Sequence, residues 1–130
     1  MSLAVPADLL DRAEAGEIND DEFVDCVRRS LPYAWSVVSQ VARALHAGDA
    51  ALTDDASPPP TEAHRGQLLR ALASDSIRGA LQRHFGVVLA FQNCHRVAAF
   101  RPDAVGGPEH LTFVSPRSQL LNQSPQLRDC

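Results

Sequence analysis

Asn93, Cys94 and His95 place an amide, a thiol and an imidazole at consecutive positions, the densest chemical grouping in the chain. A thiol beside an imidazole is the raw material of nucleophilic catalysis, provided that a base lowers the thiol pKa and a pocket brings a substrate to it. Neighbours on a strand point to opposite faces, so Cys94 and His95 can cooperate only where a turn bends them together. Packing or turn formation is therefore the first reading of this triplet, with Cys94 and His95 as catalytic candidates behind it. Asn93 and Arg96 join them as candidate ligand contacts, Arg96 for an anion. Cys26, Cys94 and Cys130, with His46, His64, His84, His95 and His110, supply further donor atoms. Their spacing matches no metal motif, so neither a metal nor a cofactor is expected. An odd number of cysteines without close pairs makes reduced thiols the expectation.

The elements that must position this group are read from periodicity. Leu68, Leu69, Leu72, Ala73, Ile77 and Ala80 fall on one side of a helical wheel drawn over 67–85, which predicts a single amphipathic helix ending at Phe85. Thr61 is its N-cap and Gly86 its left-handed stop, while Ser74-Asp75 offers the alternative of a second, shorter helix. Gly79 lies within the apolar arc, where a missing side chain would admit another backbone. Two apolar runs follow Gly86. They predict a hairpin turning near Asn93-Cys94, with Leu89 and Phe91 beside Ala98 and Phe100, and residues 110–115 predict a third strand.

Upstream, Pro6 and Gly16 bracket a short helix, and Asn19 with Glu22 forms a capping box. A long apolar stripe, Phe23, Val24, Val27, Leu31, Ala34, Trp35, Val38, Val41 and Leu45, keeps its phase across Pro32. It predicts one kinked helix or two nearly coaxial ones, with Ser30 able to cap the restart. Residues 49–60 read as an acidic linker ending in Pro58-Pro59-Pro60, and 116–130 as a polar tail carrying Leu120, Leu121 and Leu127. The expected fold class is α+β. Two long amphipathic helices and a short N-terminal helix pack on a small antiparallel sheet of two or three strands, in a single domain over 1–130.

Composition narrows the function classes. The 130 residues carry a net charge of −4, and all twelve basic residues are arginine. The negative balance argues against a general nucleic-acid or acidic-membrane partner. Arg65, Arg70, Arg78, Arg83 and Arg96 assemble into no basic face; Arg78 sits three residues after Asp75, at ion-pair spacing. The absence of lysine beside abundant alanine, valine and aspartate points to a GC-rich genome. A start without a basic segment leading into an apolar core, and the lack of a run of about 18 apolar residues, predict a cytoplasmic protein.

Three runs, 30–35 (SLPYAW), 66–75 (GQLLRALASD) and 91–97 (FQNCHRV), together with the ending at 118–125 (SQLLNQSP) and 127–130 (LRDC), resemble a small uncharacterised actinomycete protein family. The resemblance covers most of the chain, implies a bacterial cytoplasmic setting and brings no activity or site residues with it. The favoured reading is a small protein-binding or regulatory module that meets a protein partner, or itself as a homodimer, through Leu120, Leu121 and Leu127. Trp35 is a further contact candidate, although its place in the apolar stripe favours the core. The alternative is a small enzyme or ligand-binding protein with a pocket near Cys94 and His95.

Overall fold

A computed structural model describes residues 2–123. Pro6 opens α1 (Ala7–Glu14), and Gly16 closes it at φ 74°. The Asn19 side chain accepts from the Glu22 N–H to start α2 (Asp20–Ser30), as the capping-box spacing implies. Leu31 leaves helical geometry at ψ 61°, and α3 (Pro32–Ala47) restarts with proline in its first turn. Ser30 does not cap that restart; its hydroxyl accepts from the Ala4 N–H instead. The first amides of α3 are satisfied from far away, Tyr33 and Ala34 both donating to Gln67 Oε1, at 2.7 and 3.2 Å.

Residues 49–60 are more than the expected linker, because strand β1 (Leu52–Asp55) lies within them. Thr61 then caps α4 (Glu62–Leu72) through the His64 N–H. The single helix expected between the Thr61 cap and Gly86 is two. Ser74 leaves the helix and caps α5 (Asp75–Phe85) through the Ile77 N–H, and Arg78 locks the corner by donating to the Leu72 carbonyl and to Asp75. An unbroken apolar stripe could not reveal this break, because Leu68 and Leu72 on one segment and Ile77 and Ala80 on the other are all buried, while Leu69 and Ala73 of the same stripe are exposed. Gly86 ends α5 at φ 67°.

Strands β2 (Val88–Gln92) and β3 (Arg96–Phe100) form the hairpin, and β3 is central in the order β1-β3-β2, antiparallel throughout. Its register differs from the expectation by one residue. Three residues, Asn93 to His95, make the connection, so Leu89 faces Ala99 and Phe91 faces Val97, while Val88 and Ala90 oppose Phe100 and Ala98. A one-residue slip exchanges the faces. Leu89, Phe91, Val97 and Ala99 therefore meet the main core with α3 and α4, and Ala98 and Phe100 meet Phe113 on the other side. The third strand is β1, not residues 110–115, which instead hold most of α6 (Pro108–Phe113). Pro116–Leu121, expected in the polar tail, form α7. The described residues thus make an α+β fold of seven α-helices and one three-stranded antiparallel sheet.

Candidate functional site

The triplet Asn93-Cys94-His95 is the turn of the hairpin. Asn93 and Cys94 adopt φ values of 50° and 53°, and the His95 N–H returns to the Gln92 carbonyl at 3.2 Å. Asparagine tolerates the left-handed region; cysteine at the second position is unusual and is held there by its burial, at 5% exposure. Cys94 is disulfide-bonded, contrary to the expectation of reduced thiols, so its sulfur is not a thiolate nucleophile in this state. His95 is buried beside it, with Nδ1 2.7 Å from the Asn93 carbonyl oxygen.

From this turn a polar network holds the C-terminal helices. Asn93 Nδ2 donates to the carbonyls of Gln119, at 3.2 Å, and Asn122, and its Oδ1 accepts from Gln119 and Gln123. Gln92, buried on the outer face of the sheet, donates to the Phe113 carbonyl and to Ser118 Oγ, and accepts from Asn122 Nδ2 at 2.9 Å. Arg96 completes the cluster. Its Nε donates to Asp54 on β1 at 2.9 Å, and its guanidinium lies 4.7 Å over the Phe113 ring. The structure thus brings Asn93 and Arg96 to one region, where both bind parts of the chain itself. Gln92 was absent from the sequence candidates. Its signal was alternation: a glutamine at a buried strand position needs polar partners.

A cleft of about 620 Å³ runs between the α4–α5 corner, β2 and the α6–α7 corner, lined in part by Leu72, Arg78, Phe91, Gln92, Phe113 and Gln119. Neither Cys94 nor His95 lines it. Among the described residues no three histidine, cysteine, aspartate or glutamate side chains gather as a metal ion would require, and no helix is long and apolar enough to cross a membrane.

The surface beyond the network carries exposed apolar side chains among polar ones. Leu120 and Leu121 on α7 are 72% and 68% exposed, and Leu111 and Val114 at α6 are also exposed. Leu127 lies outside the described residues. Trp35 is half-buried, packed against the main core and against the rings of His84 and Phe85 at 5.3 and 5.0 Å.

Fold and site together define a small α+β domain whose hairpin turn anchors a pair of short C-terminal helices. A family model described as NucS shadow ORF matches residues 1–130, and the chain belongs to that family. No curated protein and no solved structure matches it.

Proposed function

We propose that the chain is a small protein-binding module that associates with a second copy of itself through α6 and α7. The observation that carries this reading is the exposure of Leu120 and Leu121 on a helix of six residues. So short a helix does not persist alone; here side chains of Gln92 and Asn93 fix it, and its leucines still face outward. Isolated exposed leucines are ordinary, but three large apolar side chains on two adjoining short helices, with Val114 between them, are the kind of side chains that partners cover. A bacterial cytoplasm is the setting that the sequence resemblance implies, and the lysine-free composition is compatible with a GC-rich actinomycete as source. The Cys94 disulfide is unusual for such a compartment, so assembly is to be measured with and without reductant. An enzymatic role for Cys94 and His95 would first require that disulfide to open.

Size exclusion coupled to light scattering tests the reading. The full chain is expected at twice its 14.1 kDa mass, and the double variant Leu120→Ser, Leu121→Ser at the monomer mass with an unchanged circular dichroism spectrum. A full-length monomer at about 100 μM, above ordinary dimer dissociation constants, rejects self-association.

A second reading is favoured by the family's description. A shadow reading frame is one that overlies another coding frame, and the residue bias of this chain fits such an origin. For an overlap on the complementary strand with codons aligned, the lysine codons AAA and AAG would read TTT and CTT, which a coding frame preferring G or C in third position avoids. Lysine is absent here, and arginine supplies all twelve basic residues. In this reading the NucS frame selects the composition, whatever the chain itself does. The test is a stop codon placed in this frame but silent in NucS, together with mass spectrometry for the chain's peptides. Peptides that vanish with the stop, accompanied by a phenotype, support a protein-level function; no peptides and no phenotype support the frame-level origin.

A further inference from the structure

A second cleft, of about 420 Å³, opens over α3 and is lined by Trp35, Ser36, Ser39, Gln40 and Arg43. Its centre is Ser39, which is only 5% exposed although Ser36, Gln40 and Arg43 around it are exposed. A buried helical serine ordinarily donates to the carbonyl one turn back, as Ser36 does at the exposed rim by bonding the Tyr33 carbonyl at 2.8 Å. The Ser39 hydroxyl has no hydrogen-bond partner among the described residues, and the side chains of Trp35, Gln40 and Arg43 have none either. Several other arginines are engaged, Arg78 with Asp75, Arg83 with Asp20, Arg96 with Asp54 and Arg101 with carbonyls at the end of α3, whereas Arg70 and Arg117 share the state of Arg43 among the described residues. Trp35 is held from behind by the rings of His84 and Phe85.

We propose that this cleft binds a small aromatic anion, a single ring bearing a phosphate or a carboxylate. Arg43 supplies the cation for the anionic group, in a charge-assisted hydrogen bond. Ser39 Oγ, which bonds to no other side chain or carbonyl among the described residues, donates to an oxygen of the same group. The indole of Trp35 offers its face to the ring, and the Gln40 amide closes the rim. The volume falls within the roughly 300–1,000 Å³ usual for small-ligand sites. The site lies on α3, uses none of the residues of the α6–α7 surface, and does not depend on self-association.

Trp35 is the chain's one tryptophan, so its fluorescence reports on this cleft directly. The full chain is titrated separately with phenyl phosphate, benzoate, inorganic phosphate and phenol. Phenyl phosphate or benzoate is expected to give a saturable change, the tighter of the two identifying the anionic group. Inorganic phosphate and phenol are expected to bind at least about tenfold more weakly, each lacking one half of the recognition. Arg43→Gln, at an exposed position, is expected to weaken binding about tenfold or more, and Ser39→Ala several-fold, with unchanged circular dichroism. If Ser39→Ala disturbs the fold, Gln40→Ala serves as the second variant. The proposal is overturned by no saturable change from either aromatic anion below ~10 mM, by phenol binding equally well, or by Arg43→Gln binding at full strength.

Discussion

Gln67 lies on the polar side of its helical wheel, yet its Oε1 caps the start of a different helix by accepting from the Tyr33 and Ala34 amides. Arg101 does the same at the other end of α3, donating to the carbonyls of Leu45, Gly48 and Ala50. Local caps such as Asn19 and Thr61 could be read from spacing because donor and acceptor are three residues apart; these distant caps could not. Charge acts at the same scale. The Arg83 hydrogen bond holds the Asp20 carboxyl below its ordinary pKa, opposed by desolvation and aided by a lesser Coulomb attraction to the same guanidinium. Because the folded pKa is depressed, the pair stabilises the fold above the ordinary value of 3.8 and loses that contribution as pH falls through the folded pKa. The difference in urea midpoint between the native chain and Asp20→Asn is therefore expected to be largest near neutrality and to close in acid. Gly66, inside α4, has open space where a Cβ would stand. Gly66→Ala is expected to stabilise the fold by about 0.5–1 kcal/mol in urea unfolding. Gly79, expected to admit a neighbouring backbone, would bring an added Cβ only to the Arg83 guanidinium, at 3.3 Å.

At the scale of elements, Ser74 and Pro32 show two different limits of periodicity. Both interrupt a stripe that stays in phase, and both breaks are real: α2 ends before Leu31, and α4 ends before Ser74. The proline announces its break by removing a donor, whereas the serine's cap competes with an equally plausible continuous helix. The C-terminal helices depend on the hairpin in turn. Gln92 bridges β2 to the Phe113 carbonyl, Ser118 and Asn122, so Gln92→Leu leaves buried polar groups without partners. Hydrogen exchange is expected to lose protection throughout α6 and α7 in that variant while the β2–β3 amides keep theirs. Equal loss in both would place the hairpin and the C-terminal helices in one cooperative unit.

For the molecule as a whole, the sheet divides two apolar clusters. The larger gathers Val27, Val38, Leu45, Leu68 and Ile77 with one face of β2 and β3; the smaller packs Ala98, Phe100 and Phe113 on the opposite face. Phe100 is fully buried and meets the rings of His110 and Phe113 edge-on, at 5.1 and 5.7 Å. Phe100→Ala is expected to cost about 3–5 kcal/mol in urea unfolding, since the cavity opens between the sheet and α6. By itself the sequence determined the α+β class, the local helix caps, the Gly86 stop and the hairpin turn at Asn93, because each depends on neighbours a few residues apart. Only the tertiary structure decided the register of β2 on β3, the recruitment of β1 from an acidic stretch as the third strand, and the folding of residues 110–115 as helix. The same holds for the bonds that tie Asn93 to the C-terminal helices and Arg96 to Asp54. The physical reason is separation: Asp54 and Arg96, or Asn93 and Asn122, meet only once the chain has folded back, and no local pattern of residues carries the energy of those contacts.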